Sequence, residues 1–449
     1  MNAYLASVIE NVKTKYANEP EFIQTVEEVF SSLEPVIERH PEYEKADLLG
    51  RMVEPERTFI FRVTWEDDKG NWHTNTGYRT QFNGAIGPYK GGLRFKKDVN
   101  LSIMKFLGFE QIFKNSLTGL PIGGGKGGSD FDPTGKSDRE IMRFCQSFMQ
   151  ALYRYIGPDV DVPAGDIGVG SREIGYLYGE YRRLKGAFEN GVLTGKGFAY
   201  GGSLVRPQAT GYGSVYYLEN VLKHEGDSIQ GKTIACAGFG NVTWGICQKA
   251  AELGARVVTL SGPDGYIHDP DGVITPEKIA YLVEMRNSGR NKVQDYADKF
   301  GVQFFPGEKP WGVKVDVVMP SAMENDVHME HAKQIVSNGI KYYIEVANMP
   351  TTNDALQFLL AQPGVIVAPS KAVNAGGVAT SALEMAQNSE RLSWTEEEVD
   401  RQLRHIMDTI YQMSVDAAAE YGLGYNLVAG ANIAGFLRVA EAMMAQGVF

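Results

Sequence analysis

The sequence predicts an α/β protein in two parts, the second built on a doubly wound parallel sheet. Three observations carry this. The chain has 449 residues, more than one ordinary hydrophobic core accommodates. Before residue 200, alternating strand patterns are mixed with amphipathic helices. From Lys232 onward, short apolar runs alternate regularly with helical stretches, the pattern of parallel strands buried on both faces and joined by helices. The texture changes at Gly201 and Gly202, so one domain is placed at 1–200 and a nucleotide-binding domain at 201–424.

In chain order, residues 4–15 and 20–39 read as amphipathic helices. Asn18 is the expected cap of the second, with Pro20 in its first turn. RTFIFRVTW (57–65) alternates with β-branched and aromatic residues as a strand does. A second strand is expected at 71–81, after the turn Asp68, Lys69, Gly70. Helices are expected at 100–118, 137–155 and 171–186. The short apolar runs 233–237, 255–260, 315–319, 342–346 and 365–368 are the expected parallel strands. Thr395 followed by Glu396, Glu397 and Glu398 fits a capping box opening a helix to Tyr421. A last helix is expected at 426–444.

Composition removes several classes of function. Hydrophobic residues make up 43% and charged residues 22%, a globular balance that argues against disorder. The net charge is −11 with no long basic run, which disfavours nucleic acid. The three cysteines, Cys145, Cys236 and Cys247, form no C-x-x-C pair, so buried thiols are expected instead of disulfides or a zinc site. The N-terminus lacks the unbroken apolar core of a signal peptide, and no run of about 18 apolar residues suggests a membrane span. A cytoplasmic location is expected.

Two glycine motifs invite a phosphate. GDSIQGKT (226–233) matches the P-loop pattern, but it follows a helix and precedes a strand, the reverse of what a P-loop requires. It is read as a turn with Lys232 solvated. The second motif, Gly238, Phe239, Gly240, Asn241 and Val242, follows the strand KTIACA and opens a helix. That order presents helix amides to a pyrophosphate and suits a dinucleotide. Thr243 stands at the third glycine position. At the end of the next strand come Ser261, Pro263 and Asp264. No Lys or Arg occurs from Thr259 to Thr275, so a 2′-phosphate would meet few cations there; NAD is favoured, with NADP possible.

Chemistry is suggested by three lysines. Lys90 lies in GPYKGG, Lys126 in GGGKGG, and Lys114 on the helix 100–118. Glycine flanks let backbone pack closely around an ammonium, and a desolvated lysine near other cations loses its proton more readily. Asp166, in a loop bounded by Gly and Pro, is a candidate partner for acid–base work; an Asx-turn is the alternative.

These segments, with RPQATGYG (206–213), EVANMPTT (345–352) and PSKAVNAGGVATS (369–381), resemble the glutamate dehydrogenases over essentially the whole chain. The resemblance implies reversible oxidative deamination of L-glutamate to 2-oxoglutarate and ammonium, by direct hydride transfer and without a metal. It implies that Lys126 activates water and that Asp166 shuttles protons. Lys114, Gln111 and the Gly165 backbone would hold the α-carboxylate and amino end, and Lys90 and Ser381 the side-chain carboxylate. Thr210 and Asn241 would contact the dinucleotide, with Asn348 and Asn374 nearby. It further implies an N-terminal substrate and oligomerisation domain, to which 425–449 returns. A cleft would separate it from a Rossmann-like domain, and the assembly would be a homohexamer. Two segments depart from the family pattern: Gln208 replaces a usual Glu, and MPSAM (319–323) replaces a more usual P-C-A-T. Both are expected to modulate cofactor contacts. The rivals are an enzyme of the same family for an apolar amino acid, an NADP-preferring glutamate dehydrogenase, and a P-loop kinase or NTPase.

Overall fold

The computed structural model describes residues 2–447. Its first sheet contains β1 (Arg57–Glu66), β2 (Trp72–Asn83), β3 (Tyr89–Phe95), β4 (Gly123–Ser129) and β5 (Asp161–Gly165), in the order β1-β2-β4-β3-β5. β1, β2 and β4 pair antiparallel; β3 lies parallel to both β4 and β5. Every residue of β3 and β4 is buried. The Leu101–Leu117 helix covers one face. The Asp138–Leu152 and Ser171–Lys185 helices cover the other through a cluster that includes Phe95, Phe144, Phe148 and Leu177.

The glycine-rich stretches around Lys90 and Lys126 are strands, β3 and β4. Glycine is needed there for space. A Cβ on Gly91 would overlap the Gly125 carbonyl oxygen, and one on Gly124 would lie 2.8 Å from the Ile112 backbone nitrogen. The helix therefore sits directly on the strand backbone, which drives its lysine into the sheet's covered face.

The second sheet comprises β6 (Thr233–Cys236), β7 (Arg256–Gly262), β8 (Gly265–His268), β9 (Gln303–Pro306), β10 (Val317–Met319), β11 (Tyr342–Ile344) and β12 (Ile366–Ala368). Their order is β12-β11-β10-β6-β7-β8-β9. The five strands from β12 to β7 are parallel, as expected. β8 and β9 add an antiparallel edge that the periodicity did not reveal. β8 follows β7 through a tight turn at Pro263 and Asp264, too short to permit a parallel crossover. Helices Ala209–His224 and Asn241–Glu252 lie on one face, and Met329–Ser337 and Asn353–Leu360 on the other.

Several local expectations are corrected. The helix expected at 20–39 is two helices, Pro20–Ser31 and Glu34–Arg39, because Pro35 cannot continue a helix. Its cap is Glu19, not Asn18, and no side chain bonds the first turn; the Glu19 carboxylate instead pairs with Lys105 at 2.6 Å. The capping box at Thr395 is half formed. Thr395 Oγ1 accepts from the Glu398 amide, while the Glu398 carboxylate pairs with Arg401. The P-loop match is a turn before β6, with Lys232 paired to Asp227 at 2.9 Å. All three cysteines are buried free thiols.

The final helix, Leu427–Gln446, is long and apolar enough by composition to cross a membrane, which the sequence reading did not anticipate. Most of it is buried inside the fold. Gly430 and Gly435 bring its backbone against Ser414 and Phe113, so it packs on the helices Glu396–Glu420 and Leu101–Leu117. The last two residues of the stretch 425–449 lie outside the described residues.

Candidate active site

Three strands and one helix place the charged groups. Lys90 is on β3, Lys126 on β4, Lys114 in the last turn of the Leu101–Leu117 helix, and Asp166 immediately after β5. Gly92 lets the β5 end approach, since a Cβ there would lie 2.8 Å from both Asp166 Cβ and the Gly165 carbonyl. Beneath them Arg79 and Asp161 form a fully buried ion pair. Arg79 Nε donates to Asp161 Oδ2 at 2.8 Å and Nη1 to the Gly91 carbonyl at 3.0 Å. Gln81 adds a bond to the same carboxylate. This pair ties β2, β3 and β5 together under the lysines.

Lys126 Nζ lies 3.0 Å from Asp166 Oδ1, with the lysine side chain 2% exposed and the aspartate 20%. Burial lowers the Lys126 pKa, against the pull of Asp166 and with the help of Arg94. Burial alone would raise Asp166, but Lys126 and Arg94 outweigh it and hold the carboxyl below its usual range. Lys114 is lowered to about 8, mainly by burial. Its Nζ lies 3.5 Å from Asn348 Oδ1, which also accepts from Asn374 Nδ2 at 3.0 Å. That chain connects a lysine of the Leu101–Leu117 helix with the segments after β11 and β12. Gln111 Oε1 is buried and, among the described residues, has no partner.

Lys90 is 1% exposed and donates to Thr194 Oγ1 at 2.8 Å. It forms no ion pair among the described residues. Burial, then Arg206 and Arg79, push its pKa well below the ordinary lysine value. Ser381 Oγ accepts from Arg206 Nε at 2.9 Å. Two cations and two hydroxyls thus share one region, a set suited to an anion.

At the second sheet, Gly238 has φ +80 and turns the chain between β6 and the Asn241–Glu252 helix. This is the switch point between β6 and β10, where open parallel sheets bind ligands beyond their carboxyl ends. Gly240 caps the helix with open space beside it. Phe239 and Val242 pack partly on the core. Asn241 Oδ1 and Asn374 Oδ1 are buried without partners among the described residues. Thr210 sits in the first turn of Ala209–His224, against Gly377. Orphaned amide oxygens, an unobstructed helix N-terminus and a glycine turn fit a dinucleotide.

The two departures from the family pattern fall here or nearby. Ser321 Oγ and Thr243 Oγ1 both donate to the Ala237 carbonyl, at 2.7 and 3.0 Å, and so brace the turn; Gln208 caps Ala209–His224. Ser261 Oγ accepts from the Gly238 amide at 2.9 Å. Asp264 accepts from the Val293 and Gln294 amides at 2.9 and 3.0 Å. Its carboxylate is therefore occupied in holding the Gln294–Phe300 helix, a role the sequence reading had not assigned. Arg290, a cation after the Pro276–Asn287 helix, pairs with Glu284.

Four contributors were missed from sequence: Arg94, Thr194, Arg206 and Glu384. Arg94 offered a signal, as an arginine within a wholly buried strand. Glu384 accepts from Lys196 Nζ at 2.8 Å, with both side chains fully buried.

A doubly wound sheet with a dinucleotide turn at its switch point, facing buried lysines and an aspartate, defines the class of nucleotide-linked dehydrogenases. More narrowly, the chain belongs to the Glu/Leu/Phe/Val dehydrogenase family. Residues 201–447 match the family model of that name, and 55–183 match its dimerisation domain. The chain is 71% identical over 448 residues to an NAD-specific glutamate dehydrogenase of Clostridium symbiosum, covering 100% of both chains. It is 53% identical to an NADP-specific glutamate dehydrogenase of Haemophilus influenzae, covering 100% of this chain and 99% of that one. A solved glutamate dehydrogenase superposes with a TM-score of 0.99 at 71% identity, over 100% of each chain.

Proposed function

We propose that the chain catalyses the reversible oxidative deamination of L-glutamate to 2-oxoglutarate and ammonium, with NAD preferred over NADP. The observation that carries this reading is Lys90: a buried ammonium with cationic neighbours and, among the described residues, no ion-pair partner is costly unless a substrate anion completes it. An apolar side chain there would leave that cost unrelieved, which disfavours leucine or phenylalanine as substrate.

In this reading Lys90 and Ser381, with Thr194 and Arg206, bind the side-chain carboxylate. Lys114, Gln111 and the Gly165 backbone hold the α-carboxylate and amino group. NAD, when bound along Gly238 to Val242 with Thr210, Ser261, Pro263, Asn348 and Asn374 around it, supplies the hydride acceptor. Asp166 takes a proton from the substrate nitrogen. Lys126, whose pKa burial lowers, removes a proton from the water that attacks the imine carbon. Lys126, having released that proton to solvent, takes the carbinol O–H proton as the C–N bond breaks, and Asp166 returns a proton to the nitrogen, which leaves as ammonia. Asp264 would favour NAD by placing negative charge near the ribose.

Residues 1–200 with the returning 425–449 are read as the substrate and assembly unit, and 201–424 as the nucleotide unit. Assembly as a homohexamer is supported by the dimerisation-domain match and by an edge strand that leaves Ile60 57% exposed. The cytoplasm is the proposed location. The test is NADH formation with glutamate, compared with NADP and with leucine, alongside light scattering for the mass. Equal rates with leucine would overturn the substrate assignment, and equal kcat/KM with NADP would overturn the cofactor preference.

A further inference from the structure

Asp166 is gripped on both oxygens. Lys126 Nζ holds Oδ1 at 3.0 Å, and Arg94 Nε holds Oδ2 at 2.7 Å. Arg94 has a second acid on its other edge, because its Nη2 lies 3.3 Å from Glu324 Oε1. The guanidinium is 7% exposed and its fork is planar and rigid, so the two acids share one fixed cation. Arg94 and Asp166 belong to the first sheet. Glu324 belongs to the segment following β10 of the second sheet.

Glu324 is held by committed backbone. The next residue, Asn325, has φ 52 and donates its amide to the carbonyl of Met349, which has φ 39. Met349 packs with Tyr78 and Ile103 against the cluster around Val99, Met104 and Leu107 of the first unit. Glu324 follows β10 of the second sheet while its carboxylate meets Arg94 of the first, so this contact bridges the two units.

We propose that Arg94 is the positioning residue of Asp166, and that Glu324 couples its grip to the placement of the nucleotide-binding unit. The nearer Glu324 stands to Arg94, the less positive field acts on Asp166 and the more easily the carboxylate accepts a proton. Closure of the cleft would thus tune the proton carrier. The inference rests on the reading of Asp166 as that carrier.

The charged groups facing Asp166 set the sign. Lys126 on β4, Arg94 on β3 and Lys114 on the Leu101–Leu117 helix act on it directly; Arg79 on β2 acts on Lys126, and Glu324 acts through Arg94. Arg94 lowers Lys126 as well as Asp166. Removing Arg94 therefore raises both members of the dyad. Removing the charge of Glu324 strengthens the net positive field and lowers both.

The experiment is the pH profile of kcat and kcat/KM for glutamate oxidation at saturating NAD, in wild type, Arg94→Met, Arg94→Lys, Glu324→Gln and Asp166→Asn. In Arg94→Met the acid limb is expected to move up by about one pH unit, with kcat falling and KM for NAD within about twofold. Arg94→Lys, which keeps the charge without the fork, returns the limb towards wild type. Glu324→Gln moves it the other way, down by about a few tenths of a unit, as suits a partly exposed acid. Because Glu324 lies outside the core, this variant keeps the test alive if Arg94→Met fails to fold. Limbs that stay in place in both Arg94→Met and Glu324→Gln, or that move in the same direction in these two, overturn the inference; if Arg94→Met fails to fold, an immobile limb in Glu324→Gln does so. Wild-type kcat in Asp166→Asn would instead overturn the underlying reading of Asp166; loss of turnover there with immobile limbs refutes only the roles of Arg94 and Glu324.

Discussion

Replacing Lys90 by leucine separates what this lysine does for catalysis from what it does for stability. The ammonium is 1% exposed and, among the described residues, bonded only to Thr194 Oγ1, at 2.8 Å. If it pairs with the substrate carboxylate at about 4 Å, the interaction amounts to about 4 kcal/mol at the effective dielectric of a shielded protein site. Each 1.4 kcal/mol is about tenfold in rate, so the full loss would be about 10³-fold in kcat/KM for glutamate. Arg206 and Ser381 remain and would recover part of it, leaving about 10²–10³-fold. The fold should respond in the opposite sense. A buried cation beside Arg206 and Arg79 is a cost in the free protein. Leucine has similar bulk and no charge, so the unfolding midpoint should hold or rise. The assay is initial-rate kinetics with glutamate and leucine, beside thermal melts of both proteins. Wild-type kcat/KM for glutamate in Lys90→Leu would refute the assignment of this lysine to the side-chain carboxylate. A lost midpoint would refute the claim that its burial is uncompensated without substrate.

Other perturbations probe the frame and the charge state of the site. Asp161→Asn leaves the fully buried Arg79 without its carboxylate and should cost about 3–5 kcal/mol in denaturant unfolding; a change below about 1 kcal/mol would mean that the pair is not structural. Gly124→Ala drives a methyl within 2.8 Å of the Ile112 backbone nitrogen. Overpacking of about 1–3 kcal/mol is expected, and an unchanged midpoint would show that the helix can lift from the strand at no cost. Lys114, lowered to about 8, is charged below that pH and neutral above it. Binding of 2-oxoglutarate should therefore weaken as pH rises through 8, by about tenfold for each further unit. Calorimetry showing constant affinity from about pH 7 to 9 would contradict the role of Lys114.

Much of the site was legible because its signals are local. The turn at Gly238 to Val242 is written in adjacent residues, since a strand, two glycines and a helix start must follow one another in sequence. Lys90 and Lys126 stood out by their glycine flanks, which allow close backbone packing; only the packed fold shows that these are strand positions under a helix, where Ile112 presses on Gly124. Pro35, likewise, was in plain view, but the apolar period ran through it and concealed the break between two helices. The antiparallel edge of β8 and β9 was hidden because GYIH and QFFP carry no continuous apolar run of the kind that marks a buried strand.

By itself the sequence determined the family to which the chain is similar, the alternation that builds a doubly wound sheet, and the chemical types at the site. These depend on neighbours along the chain. The tertiary structure alone decided who meets whom. It brings Lys126 to Asp166, puts Arg206 on Ser381 across 175 positions, and shares Arg94 between Asp166 and Glu324 across 72 and 230. It also ties up the Asp264 carboxylate on two helix amides. Such pairings depend on strand order and burial, and these emerge only when distant segments compete for the same core. The shifted pKa values of the three lysines follow from the same cause, because desolvation is a property of the packed interior and not of any residue's place in the chain.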